Sequence, residues 1–225
     1  MFHVKLFLFF ALIVPLTCFS QHLGTTIIPV KELPTLPSNN VSILHFLESN
    51  PEYESLGTIE KEWFYWTNYS RNNPRHFWDS VVAPLIARLP TLKSEYTESL
   101  KKDLYNCKSL PFVTPNVELL KISQAFASEL SSKNAPPSHT SPSGKTFNER
   151  MQASGIVKCA GENISYGPQN SVLMLVLLYI DEGVPSLGHR KTLLNPTFVE
   201  MGIGVSKYRN NNSIVIQDFA CNQKP

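Results

Sequence analysis

Two β-rich runs close the chain, residues 202–208 and 213–220, with Asn210, Asn211 and Asn212 between them. Ile214, Val215, Ile216 and Phe219 dominate the second run. Two such runs across a polar turn read as a β-hairpin. The periodic segments before them carry the helical spacing instead, and no internal repeat at solenoid periods is present. Helices followed by a small antiparallel sheet predict an α+β fold or a layered α/β/α arrangement.

The helices differ in clarity. Residues 117–131 present Leu119, Leu120, Ile122, Ala125, Phe126 and Leu130 as one buried stripe. Residues 169–181 form the most apolar segment outside the N-terminus, ended by Gly183 and Pro185, and too short to span a bilayer. Residues 58–70 read as amphipathic through Ile59, Trp63, Trp66 and Tyr69. Residues 75–89 form a second such helix with Pro84 as a kink or boundary, and 93–104 a third, charged on one face. Short helices are expected around 43–47 and over 145–153. Residues 161–167 are compact, turning or extended, and 188–195 follow before Pro196.

The N-terminus predicts export. Lys5 precedes an apolar run over residues 6–16, and Cys18, Phe19 and Ser20 supply a small-x-small ending, with cleavage expected before Gln21. A retained anchor or a lipoprotein is the alternative; Pro15, Leu16 and Thr17 suit acylation of Cys18 poorly. The expected organisation is a signal peptide at 1–20, a linker with a short helix at 21–57, N-terminal helices at 58–114 and a core domain at 115–225. No transmembrane span is expected in the mature chain.

A formal charge of +2 with no basic stripe gives no sign of a nucleic-acid partner. Cys107, Cys159 and Cys221 remain after processing. In an oxidising compartment two can pair, in any of three ways, so the hydrophobic core carries most of the stability.

Four short segments then occur in order: Ser138-His139-Thr140, Cys159-Ala160-Gly161-Glu162-Asn163-Ile164, Asp181-Glu182-Gly183-Val184 and Gly188-His189-Arg190, with Gly202-Ile203-Gly204-Val205 behind them. This set resembles the CAP superfamily of cysteine-rich secretory, antigen 5 and pathogenesis-related 1 proteins, in its bacterial SCP-like form. The resemblance covers roughly residues 115–221. It implies a three-layer α/β/α sandwich, here with a helical N-terminal extension, and a cleft lined by His139, Glu162, Glu182 and His189. Asp181 stands beside Glu182, so either is eligible as the second acid, and Glu182 is the preferred reading. Leu178 and Tyr179 occupy a stretch where better-known members carry a tryptophan, and Arg190 and Lys191 stand where eukaryotic members show Thr-Gln.

Two imidazoles with two carboxylates suit a divalent cation such as zinc, held by His139 and His189. That supports a secreted or periplasmic protein binding an extracellular or cell-envelope ligand. The alternative is a metal-assisted hydrolase acting on peptide or cell-envelope material, with Glu162 or Glu182 as general base. Taken singly, each residue has a plainer reading: His139 exposed in a Ser/Pro loop, Glu162 a cap, His189 a helix cap or an anion contact. Arg190 and Lys191 read as solvated basic surface. Trp63, Trp66, Trp78, Tyr65 and Phe77 read as core packing rather than a sugar platform. Asn40, Asn68 and Asn163 each begin an Asn-x-Ser sequon.

Overall fold

The computed structural model describes residues 33–223. The expected signal peptide and the first part of the linker lie outside them. Ten α-helices are described: α1 (Val41–Glu48), α2 (Pro51–Glu54), α3 (Thr58–Asn72), α4 (Pro74–Phe77), α5 (Ala83–Arg88), α6 (Glu95–Asn106), α7 (Val117–Ser132), α8 (Phe147–Ala153), α9 (Ser171–Ile180) and α10 (Gly188–Leu193). The strands are β1 (Thr114–Pro115), β2 (Ala160–Gly167), β3 (Glu200–Tyr208) and β4 (Asn212–Ala220).

The expected hairpin is β3–β4. Asn210 and Asn211 take positive φ of 54° and 62° at its turn, a conformation that asparagine tolerates better than most residues. The sheet order is β1-β3-β4-β2, with β1 parallel to β3 and the other pairs antiparallel. The 161–167 segment is therefore a strand, β2, lying at one edge.

Both faces of this sheet are covered. Ile164, Ile214 and Ile216 pack with Phe126 and Leu130 of α7. Met201, Ile203, Val215 and Phe219 belong instead to a large cluster with α1, α3 and α9. Alternate residues of β4 thus serve opposite layers, as the period of two requires. The result is the layered α/β/α sandwich, and the first helices share its core: Ile43, Leu47 and Trp63 lie in the same cluster as Phe219.

Two glycines set how closely α7 approaches. A Cβ on Gly202 would stand 2.2 Å from the carbonyl carbon of Leu119, and one on Gly204 would stand 2.0 Å from the carbonyl oxygen of Ser123. Only a residue without a side chain allows this spacing.

Helix α3 departs from the amphipathic expectation, since every residue from Trp63 to Arg71 is buried. It lies between the sheet, α9 and α1, so its polar residues find internal partners. Asn68 donates to the carbonyls of Phe64 and Val113, both at 3.0 Å, and accepts from the Val113 amide. The aromatic residues here are core: Trp63, Trp66, Trp78, Tyr65 and Phe77 are all buried. The 75–89 segment is interrupted by a π-helical stretch, Trp78–Val82, just before Pro84. Proline brings no N–H to the helical ladder, and the backbone widens beside it.

Cys159 and Cys221 form the disulfide, 62 residues apart in sequence, fastening the start of β2 to the end of β4. Closing a loop of that length stabilises by about 4 kcal/mol on the chain-entropy argument. Cys107 is free. No described helix is long and apolar enough to cross a membrane.

Candidate functional site

Of the sequence-predicted residues, His139 meets Glu162, while His189 meets Asp181 in place of Glu182, giving two separate histidine–carboxylate pairs. The first is built on β2. Glu162 pairs across the ladder with Asp218 of β4, which pairs in turn with Gly202 of β3. Opposed residues share a face, and these three lie in register with Ile164 and Ile216, so Glu162 and Asp218 point toward α7. The Glu162 side chain is 1% exposed. Its Oε1 meets Nδ1 of His139 at 2.8 Å, and its Oε2 accepts from the Arg150 guanidinium.

Arg150 reaches this position because α8 is well started. Thr146 and Glu149 form a capping box, with the Thr146 amide donating to Glu149 Oε2 at 2.8 Å. The guanidinium lies 3.7 Å from the centroid of the Phe126 ring, in cation–π contact. It also donates to the carbonyls of His139 at 2.9 Å and Lys145 at 3.2 Å, which ties down the loop carrying the imidazole. The His139 side chain itself is 46% exposed.

Beneath Glu162, Asp218 is fully buried. Ser123 of α7 contacts its Oδ2 at 2.7 Å, while Oδ1 has no partner among the described residues. Burial, with the Glu162 charge beside it, pushes the Asp218 carboxyl well above the usual carboxylate range.

The second pair belongs to the opposite layer. Helix α9 ends at Asp181, whose φ of 58° is left-handed. That turn carries the carboxylate back onto α10. Oδ1 meets His189 Nδ1 at 2.6 Å, and Oδ2 accepts the backbone amides of His189 at 2.9 Å and Arg190 at 3.3 Å. The N-cap of α10 is Leu187, which offers no side-chain acceptor. Asp181 supplies one from outside the helix, satisfying orphan amides at its positive end.

Glu182, the preferred second acid on sequence, meets neither histidine. It is exposed, and its Oε2 accepts from Ser94 Oγ at 3.0 Å. Two residues beyond the end of α9, its side chain leaves on the solvent side while Asp181 turns inward. Arg190 corrects another expectation: it is 1% exposed rather than solvated. It donates to the carbonyls of Tyr179, Ile180 and Tyr96, to Ser99 Oγ and to Asp103 Oδ2, all between 2.7 and 2.9 Å. It joins α6, α9 and α10, and so holds the backbone on which Asp181 and His189 meet. Lys191 is exposed as expected.

Adjacent residues of β2 connect the pairs. Glu162 belongs to the first, and Asn163, facing the other layer, places Nδ2 3.5 Å from the His189 carbonyl. Asn163 and Asn68 are buried, and Asn40 caps α1 through its side chain. In both pairs the carboxylate engages Nδ1, which places a proton there and leaves Nε2 as the ring nitrogen available for a ligand. This carboxylate–imidazole arrangement is the support that metal-binding histidines commonly have. Among the described residues, no three His, Cys, Asp or Glu side chains gather as a group able to hold a metal ion.

Sequence reasoning missed Arg150 and Asp218. Asp218 carried a usable signal: it continues the face of Ile214 and Ile216 on β4, where a period-two reading expects an apolar residue.

A family model described as CAP, the cysteine-rich secretory protein family, matches residues 107–219. An extracellular protein containing an SCP domain from Bacillus anthracis str. Ames is 18% identical, with a TM-score of 0.45, over 84% of this chain. The match spans only 45% of that protein. An outer surface protein from Borrelia burgdorferi is 22% identical, with a TM-score of 0.41, over 60% of this chain and 92% of its own. No curated protein matches.

Proposed function

The chain belongs to the CAP superfamily, the cysteine-rich secretory protein family, and from that premise we propose that it is a secreted or periplasmic binding protein. Its two histidine–carboxylate pairs, with His139 and His189 as the ligating residues, take a divalent cation such as zinc and with it an extracellular or cell-envelope ligand. One observation carries this reading: each histidine has Nδ1 held by a buried carboxylate, Glu162 or Asp181. Anchoring one ring nitrogen fixes the tautomer and orientation of the other, which is what a ligating or hydrogen-bonding imidazole needs. The role assigned to the second acid passes from Glu182 to Asp181.

The hydrolase alternative needs a general base with a free oxygen. Glu162 has both oxygens engaged, by His139 and Arg150. Glu182 is exposed and bonded to Ser94. No observation in the site favours that alternative.

Calorimetric titration of the metal-stripped mature protein with zinc tests the proposal. The expected result is saturable binding, weakened in His139→Ala and in His189→Ala, and lost in the double variant. Asp181→Asn should weaken it by about 10–100-fold, the usual effect of disturbing the group behind a ligand. Equal zinc uptake by wild type and the double variant would overturn the cation reading.

A further inference from the structure

The Asp218 carboxyl group is buried, yet no cation touches it. Four elements surround it. From α8, Arg150 gives its two terminal nitrogens to Glu162, His139 and Lys145, and its charge reaches Asp218 only through space, against the larger effect of burial. From β2 comes Glu162, another carboxylate, directly opposite in the ladder. From β3 comes Gly202, which has no side chain. From α7 comes the Ser123 hydroxyl, the one donor Asp218 is given.

That hydroxyl has a single proton, and it stands 2.8 Å from the Leu119 carbonyl as well as 2.7 Å from Asp218 Oδ2. A carbonyl only accepts. Both contacts are hydrogen bonds at the same time when Asp218 brings a proton of its own and donates it to Ser123 Oγ. The remaining oxygen, Oδ1, has no partner among the described residues. A neutral acid leaves a carbonyl oxygen unpaired at modest cost, whereas an anion there would be a buried, uncompensated charge beside a second one.

We propose that Asp218 is a neutral carboxylic acid in the folded protein at neutral pH, and that it is a positioning residue for His139. With Asp218 neutral, Glu162 is the one carboxylate facing Arg150, and its other oxygen is committed to the imidazole. Removing the proton places two anions side by side on neighbouring strands. Glu162 is then driven from its position, and the His139 contact opens. The device holds at neutral pH and releases on the alkaline side.

The sign follows from linkage. Below the ordinary carboxylate range, Asp218 is protonated in both the folded and the unfolded chain. As pH rises past the unfolded chain's value, the unfolded state gives up this proton while the folded state keeps it. This group's share of stability therefore falls with rising pH, until the raised folded value is crossed. Asparagine has nearly the shape of the neutral acid and cannot ionise, so Asp218→Asn removes that fall.

Two measurements on the mature protein test this. Infrared spectra of protein carrying carbon-13 aspartate should show the C=O stretch of a neutral acid at pH 7, absent from Asp218→Asn. Urea midpoints followed against pH should decline more steeply for wild type than for Asp218→Asn from the ordinary carboxylate range upward, and run parallel once the raised folded value is crossed. The His139 Nδ1–H resonance should disappear in wild type only at the upper end of that window, where folded Asp218 loses its proton, and persist to higher pH in the variant. Should Asp218→Asn not fold, the labelled wild-type spectrum decides alone. A wild type with no neutral aspartic acid at pH 7, or a variant whose urea midpoints parallel the wild type throughout, overturns the proposal.

Discussion

The two histidine–carboxylate pairs use the same contact and rest on opposite kinds of support. In the first, an extended strand presents a buried glutamate to a loop histidine that remains nearly half exposed. In the second, a helix end presents a buried aspartate to a histidine whose side chain is only 10% exposed. Glu162 is held by a half-exposed histidine and by Arg150, whose other bonds go to the loop that carries that histidine. Asp181 is also the cap of α10, and the arginine beside it is part of the core. The contrast teaches that the second pair is inseparable from the fold, while the first can be altered with the fold left standing. Substitutions near His189 should register first in stability, and those at His139 first in binding.

The largest effect that would sharpen this contrast is Arg190→Met. It strands the buried carbonyl groups of Tyr179 and Ile180 and the part-buried one of Tyr96, all satisfied by the guanidinium. The expected loss is about 3–5 kcal/mol, read from urea unfolding. A loss under about 1 kcal/mol would break the comparison. Next comes Asp181→Ala, which removes two amide acceptors and puts a methyl side chain at a left-handed φ. Together these should cost about 2–3 kcal/mol. Third is His139→Ala, expected to change stability by less than about 1 kcal/mol because the ring is half solvated, while weakening zinc binding. If it unfolds the protein as readily as Asp181→Ala does, the two pairs are not different in kind. Smallest is Glu182→Gln, expected to stay within about 0.5 kcal/mol and to leave zinc binding unchanged. A clear loss of binding in that variant would restore Glu182 as the second acid.

Much of the architecture could be read from residue patterns. The stripe of α7, the apolar run of α9 and the paired β-runs around the asparagine turn each follow one strong period. The ordered motifs also located both histidines and Glu162. What escaped depends on contacts between distant segments. A two-residue strand, Thr114–Pro115, has no pattern of its own and exists only because β3 is beside it. Asp181 and Glu182 are neighbours of similar chemistry, and a single positive φ decides which turns inward. Arg190 follows a histidine on a short helix and looks like surface until α6 arrives to cover it. Arg150 looks like an ordinary charged residue because its burial is decided by packing against Phe126 of α7. The nine consecutive buried residues of α3 follow from its place between two layers, which an amphipathic stripe does not reveal.

The glycines at 202 and 204 do more than allow close approach. By letting the α7 backbone rest on β3, they set Ser123 against Asp218 and keep that carboxyl group buried. Even a methyl group at either position would prise that helix upward and let solvent in. Water would then hydrate the anion, and the alkaline release of His139 would fade into the titration of an everyday surface acid. Two missing side chains, remote from either imidazole, thereby govern how one of them answers to its surroundings.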